Sequence, residues 1–288
     1  MRVESVTSAQ NRKVKTLLAL QEKARLRKEM GLFVVEGRRE LEHCVRAGFE
    51  IDTLFVCPEI VGSAAGPSAP IRCGAPSRYA DPTRVNGAEG PQPNLIANTI
   101  IEVPREIYEK IAYRGGTEGL IAEVKARELS LPEVKLSESP LVVVLEGVEK
   151  PGNLGAVLRS ADAAGADAVL VCDPLTDLYN PNLIRASIGA VFTVPVACCS
   201  SKEAIKWLKD NNISIYTAQL QDSSWYYDTD MTGGTAIVIG TEATGLTAAW
   251  REAADAHIRI PMLGELDSLN ASVSAAILLF EAVRQRNA

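Results

Sequence analysis

Histidine is almost absent from this chain. Two residues, His43 and His257, serve 288 positions, so a catalytic scheme built on an imidazole base has only two candidates. The six cysteines, Cys44, Cys57, Cys73, Cys172, Cys198 and Cys199, form no C-x-x-C pair, and the histidines lie far apart in sequence. A zinc site of usual spacing is therefore not expected. Most of the cysteines sit among apolar residues, as buried thiols do. Long hydrophobic runs are missing too. The longest nearly apolar stretch, Val273 to Val283, is broken by Ser274 and Glu281 and is too short to span a bilayer. The polar, basic N-terminus has no apolar core of signal-peptide type, and a cytoplasmic location is the expectation. Finally, the strand–loop–helix pattern around EKPGNLGAVLRSADAAG (149–165) contains neither G-x-G-x-x-G nor G-K-[ST], the usual phosphate-cradling signatures.

What is present is the composition of a soluble globular protein, 47% hydrophobic and 23% charged, with room for two domains. The net charge of −6 is uneven. Residues 1–50 hold eleven Lys and Arg against seven Asp and Glu, a net of +4, so the rest carries −10. Within 11–28, Arg12, Lys13, Lys15, Lys23, Arg25, Arg27 and Lys28 face one acid, Glu22. Such a segment suits a polyanion partner or a solvated helix face.

The chain opens in an α–β–α–β order. Residues 11–29 have helical spacing, with Val14, Leu17, Leu18 and Leu20 on one side. LFVVE (32–36) reads as a strand, 37–48 as a helix ending at Gly48, and IDTLFVC (51–57) as a strand. Residues 63–94 are different: 19 of 32 are Ala, Gly, Pro or Ser, an irregular insertion in a first domain of residues 1–125. Strands at 100–104 and 120–125 flank a helix near 105–113. A polar linker, 126–139, leads to a second domain, 140–288. There LVVVLEG, AVLVCD, FTVPVA, ISIYTAQL, TAIVIG and HIRIP are strand candidates, and helices are expected at 154–164, 181–190, 201–211 and 271–286. Alternating apolar runs and helices predict an α/β fold with a parallel sheet covered on both faces. In such sheets the ligand site lies beyond the carboxyl ends of the strands, which nominates the loops 146–153, 240–247 and 261–270.

Each loop has an ordinary reading. Asn153 can cap the helix that follows it, Arg159 can be a solvent-facing charge, Glu242 a loop carboxylate, and Ser268 or Asn270 another cap. Each also has a chemical one. Helix N-terminal amides with an Arg bind phosphate, Gly240 at a strand end admits close backbone approach by a ligand, and Glu242 can orient a hydroxyl or a basic group.

Taken together the three loops are far more specific. Asn153-Leu154-Gly155 with Arg159, Gly240-Thr241-Glu242 through Gly245-Leu246, and Ile260-Pro261-Met262 through Ser268-Leu269-Asn270 with Ser272 closely resemble the three ordered motifs of the SpoU (TrmH-type) branch of the SPOUT RNA methyltransferases. The match covers about residues 140–286. SAQNRKVKTLLAL (8–20) and GLFVVEGRRELEHC (31–44) resemble that family's substrate-binding module, a small α/β fold like certain ribosomal proteins. Segment 63–94 departs from its compact pattern.

The resemblance implies a parallel-sheet SPOUT domain tied in a trefoil knot, although general topology argues against knots. It implies a homodimer and S-adenosylmethionine bound in bent form among the knotted loops. Carried over by motif, Gly240, Ile260 and Leu269 contact the cofactor, and Asn153, Arg159, Glu242, Ser268 and Asn270 form the catalytic cluster. The implied reaction is methyl transfer to a ribose 2′-hydroxyl of RNA, ribosomal RNA in preference to transfer RNA. The basic segment gains a purpose: Arg12, Lys13 and Lys15 suit phosphate contacts that position RNA without reading its sequence. An arginine is protonated at neutral pH. Arg159 therefore suits holding a phosphate and stabilising the developing oxyanion better than it suits the role of base. Two rivals remain. A nucleotide-linked oxidoreductase has an acid in Asp173 but lacks the Gly spacing. A non-catalytic RNA-binding protein would not need the full motif set.

Overall fold

In a computed structural model, residues 2–64, 95–113, 118–241 and 244–288 are described. The stretch 65–94, which includes Cys73 and most of the expected insertion, lies outside them, as does Glu242. The chain divides into two compact units, Met1–Arg127 with Tyr179–Arg185, and Glu128–Leu178 with Ala186–Ala288.

Unit 1 is built on a five-stranded mixed sheet. Its elements run β1 (Arg2–Ser5), α1 (Arg12–Glu22), α2 (Ala24–Met30), β2 (Leu32–Glu36), α3 (Arg38–Arg46), β3 (Ile51–Val56), α4 (Pro58–Ala64), β4 (Ala97–Glu102), α5 (Arg105–Ile111) and β5 (Leu120–Lys125). The strand order is β1-β4-β3-β5-β2, parallel for the first three and antiparallel across β3/β5 and β5/β2. Helix α1 begins at Asn11, whose side chain accepts the Lys13 amide, and buries Val14, Leu17 and Leu20 completely against Phe55, Ile101, Tyr108 and Ile121. Each such side chain contributes roughly 1.5–3 kcal/mol.

The single helix expected over 11–29 is two. At Lys23 the backbone turns extended, and the carbonyls of Leu20 and Gln21 are met by the buried guanidinium of Arg27, at 2.6 and 3.2 Å. A side chain thus closes the end that a continuing helix would have closed. Arg27 is consequently no part of an exposed basic face.

Unit 2 carries seven parallel strands in the order β10-β12-β9-β11-β6-β7-β8. They are β6 (Leu141–Glu146), β7 (Ala168–Cys172), β8 (Val196–Cys199), β9 (Ser214–Ala218), β10 (Ser224–Trp225), β11 (Thr235–Ile239) and β12 (Ala256–Arg259). The helices are α6 (Pro151–Ala163), α7 (Pro181–Ser187), α8 (Ala190–Thr193), α9 (Ser201–Asp210), α10 (Ala248–Ala253) and α11 (Ala271–Arg286). The aliphatic runs of β6, β7 and β11 are buried along their whole length, as strands covered on both faces must be.

Three expectations need correction. Phe192 and Thr193 lie in α8, not in a strand. Pro195 has no amide to give a ladder, and β8 begins one residue after it. Residues 128–139 are not a free linker. Leu131, Val134 and Leu136 pack on the core of unit 2, and the amides of Ser137 and Leu141 bind the Asp167 carboxylate at 2.7 and 2.8 Å. Helix α6 starts at Pro151 with Lys150 as its cap. Asn153 therefore lies inside the first turn and does not cap the helix.

Helix α11 is clamped at its far end. The Arg286 guanidinium donates to the carbonyls of Met231, Ser139, Pro140 and Gly233 at 3.0, 2.7, 3.1 and 2.6 Å. No helix among the described residues is long and apolar enough to cross a membrane.

Candidate active site

The parallel register brings the carboxyl ends of β6, β11, β9 and β12 to one edge of the sheet. Leu145 pairs with Ile239, Val238 with Thr217, and Ala218 with Ile258. The loops nominated by sequence leave from β6, β11 and β12 at this edge.

The loop after β6 is tied down by a buried carboxylate. Glu146, 6% exposed, accepts the amide and hydroxyl of Thr247 at 2.9 and 2.8 Å. Ser201 Oγ lies 3.1 Å from Glu146 Oε1 and 2.7 Å from Asp173 Oδ2, and it accepts the Trp250 indole N–H at 3.0 Å. This network joins β6 to the segment that ends the 240–247 loop. Of its members only Asp173 was singled out by sequence, and then as the acid of the oxidoreductase alternative, although a Glu closing an aliphatic strand was a signal. Beside it, Cys172 and Cys199 are register partners with sulfurs 3.9 Å apart. Their mutual hydrogen bond pulls the Cys199 thiol down and pushes that of Cys172 up.

The loop after β11 is a tight return. The Gly245 amide donates to the Thr241 carbonyl at 3.0 Å, and the Thr244 amide to Thr241 Oγ1 at 3.0 Å. Gly240 has no space for a side chain: a Cβ would sit 2.4 Å from the Gly245 carbonyl carbon. The predicted need for glycine here is thus steric. Gly155 in α6 is similar, since a Cβ would meet Ala186 Cβ at 2.6 Å.

The loop after β12 ends at Asn270. Its Oδ1 accepts the Ser272 amide at 3.0 Å, capping α11, and its Nδ2 donates to Asn153 Oδ1 at 3.1 Å. Two predicted site residues, 117 positions apart, are thereby joined.

A cavity of about 320 Å³ opens between the second and third loops. Gly240, Ile260, Ser268 and Leu269 all line it, with apolar wall from Leu246 and Leu278. Two buried polar atoms on its lining residues, Gln219 Oε1 and Arg259 Nε, have no hydrogen-bond partner among the described residues. Neither residue was anticipated. Among the described residues no group of three or more His, Cys, Asp or Glu is disposed to hold a metal ion.

Arg159 is exposed and does not line the cavity. It lies six positions beyond Asn153, which sets the two roughly 9 Å apart along α6 and about 120° apart around it. In unit 1, Arg12 and Lys15 are exposed, whereas Lys13 is paired with Glu4 at 2.8 Å.

The model of the SpoU rRNA Methylase family matches residues 140–280, and that of the MRM3-like substrate binding domain matches residues 11–122. The 23S rRNA (guanosine-2′-O-)-methyltransferase RlmB of Escherichia coli K12 is 39% identical over 176 residues, which are 59% of this chain and 72% of RlmB. The chain belongs to the SpoU family. Similarity to solved SpoU-type structures extends over both units. A crystal structure of an RNA 2′-O ribose methyltransferase is 36% identical with a TM-score of 0.75, covering 99% of this chain and 100% of that one. An AdoMet-bound rRNA methyltransferase from Sinorhizobium meliloti is 27% identical with a TM-score of 0.80, covering 98% of each chain. In this SpoU protein, then, the seven-stranded parallel unit is the methylase domain, and the mixed-sheet unit contains the substrate-binding module.

Proposed function

We propose that this chain methylates a ribose 2′-hydroxyl of ribosomal RNA, with S-adenosylmethionine as methyl donor. The observation that carries the reading is the convergence of two loops on one cavity. Gly240 comes from one, Ile260, Ser268 and Leu269 from the other, and Asn270 reaches from the end of the latter to Asn153.

The residues present fit the cofactor. The cavity volume is within the roughly 300–1,000 Å³ of small-molecule sites. Leu246 and Leu278 offer apolar wall, and the unpaired Gln219 and Arg259 atoms call for polar partners. When bound, S-adenosylmethionine supplies an electrophilic methyl group on a sulfonium. The chain's own contribution is placement. Gly240, Ile260 and Leu269 hold the donor, while Asn153, Ser268 and Asn270 order the acceptor side together with Glu242. Holding two reactants in line removes up to about 7–11 kcal/mol of barrier. Arg159, a fixed cation, holds an RNA phosphate and stabilises the 2′-oxyanion as it forms, and the proton leaves to phosphate or water.

Of the expected contacts in the substrate-binding module, Arg12 and Lys15 contact RNA phosphates, while Lys13 is held by Glu4. The chain acts as a homodimer, a reading supported by Val273 and Phe280, which leave α11 46% and 48% exposed. A cytoplasmic location goes with this reading. The trefoil knot, with the end of the domain tucked through a loop, is part of the same reading.

Labelled methyl transfer from S-adenosylmethionine to rRNA, followed by mapping of 2′-O-methyl positions, tests the activity. One new ribose methylation in rRNA is expected. Methylation of transfer RNA alone, or cofactor binding with no transfer to any RNA, would overturn it. Near-normal turnover by Arg159→Lys would remove the role given to the guanidinium fork. A monomer by light scattering at micromolar concentration would remove the dimer.

A further inference from the structure

Gln219 and Arg259 lie side by side just past the paired ends of β9 and β12. Ala218 is opposite Ile258, and the Gln219 amide continues the ladder to the Ile258 carbonyl at 3.0 Å. The row extends one strand further, because Trp225 of β10 is the register partner of Arg259.

The side chains of this row are oriented by the protein and then left unsatisfied. Gln219 Nε2 donates to the Gln221 carbonyl at 2.9 Å, which fixes the amide and assigns its oxygen to the other side. The Arg259 guanidinium lies over the Trp225 ring, 4.3 Å from its centroid, a favourable cation–π placement. Yet Gln219 Oε1 and Arg259 Nε are both buried with no hydrogen-bond partner among the described residues, and both residues line the cavity. Buried polar atoms are rarely left so unless something else binds them. One of these atoms only accepts and the other only donates. Their complement is a ligand edge with a donor next to an acceptor, set among the apolar Leu246 and Leu278.

We infer that Gln219 and Arg259 select the nucleobase of the ligand, pairing with an adenine-type edge that presents an amino donor beside a ring-nitrogen acceptor. This rests on the cofactor reading proposed above. Trp225 is a positioning residue that keeps the Arg259 guanidinium flat.

The test compares S-adenosylhomocysteine with S-inosylhomocysteine by calorimetry. The inosyl compound replaces the amino donor with a carbonyl acceptor, which Gln219 Oε1 would repel. The wild-type chain should prefer the adenosyl compound by about 100-fold or more, because a site built to hydrogen-bond a group discriminates strongly against its absence. Gln219→Met and Arg259→Met should each weaken adenosyl binding by roughly tenfold and shrink the preference to a few-fold. Ligand-free melting temperatures should hold or rise, since an unpaired buried atom is removed. Trp225→Ala should weaken binding with a smaller loss of preference, and Trp225→Phe should restore it. An adenosyl preference that survives both methionine variants overturns the inference and leaves the cofactor reading standing. So does a variant that instead stops discriminating against a 2′-deoxyadenosyl analogue, which would assign the row to the sugar. Failure of the wild-type chain to bind either compound overturns both readings.

Discussion

Asn270 serves two partners with one side chain, its oxygen taking the Ser272 amide and its nitrogen reaching Asn153. The two roles separate by substitution. Serine is as good an N-cap as asparagine but is too short to span to Asn153. Asn270→Ser should therefore unfold in urea within about 0.5 kcal/mol of wild type, while methyl transfer falls at least tenfold. Asn270→Ala should lose activity and roughly 1 kcal/mol of stability as well. Equal activity in the serine variant would reduce Asn270 to a cap. A second residue-scale prediction concerns Glu123, buried on β5, with Oε1 lacking a partner among the described residues. Burial first, and the nearby Asp52 second, push its carboxyl up to about 7. The folded state then keeps a proton that the unfolded state releases near pH 4.5, so stability falls as pH rises from about 4.5 to 7. The loss amounts to roughly 3 kcal/mol. Glu123→Gln should flatten the pH dependence of urea unfolding over that window and be the more stable protein at pH 8.

At the scale of elements, continuous aliphatic runs made β6, β7 and β11 legible in the sequence, because a strand buried on both faces admits little else. Helix α11 was legible to its ends, since Asn270 caps it and apolar spacing persists to its last turn. What was not legible depends on distant partners. The break between α1 and α2 follows from Arg27 reaching back to Leu20 and Gln21, and nothing local distinguishes Arg27 from its basic neighbours. The tie between Glu146 and Thr247 spans 101 residues and has no pattern by which sequence could pair them. Gly240 was legible because its requirement is backbone geometry, whereas Gln219 and Arg259 look like ordinary strand-end residues. The basic segment now reads differently. Lys13 pairs with Glu4, Arg25 with Glu29, and Arg27 is buried, which leaves Arg12, Lys15, Lys23 and Lys28 exposed for RNA. Four phosphate contacts to single-stranded RNA give a slope of about −3 in log affinity against log salt. Arg12→Glu with Lys15→Glu should reduce that slope by about half without changing cofactor affinity, and filter binding at several salt concentrations checks this. The clamp on α11 gives another test. Arg286→Leu strands carbonyls that the guanidinium now serves and should cost roughly 2–3 kcal/mol in urea unfolding. Arg286→Lys should recover only part of it, since an ammonium cannot reproduce the fork.

On the scale of the whole molecule, the methylase unit places next to each other strands that are remote along the chain. Leu145 of β6 lies beside Ile239 of β11, and the edge that bears the cavity is complete only when β12 and α11 have joined them. Pairings of such sequence separation form slowly, because loop closure must precede any gain from contact. The cavity, lined from β9, β11, β12 and α11, is expected to form only once these elements have come together. Recovery of ligand binding after dilution from denaturant should lag recovery of helical circular dichroism. A cell that needs the activity has to wait for the slowest topological step, not for synthesis of the motifs themselves.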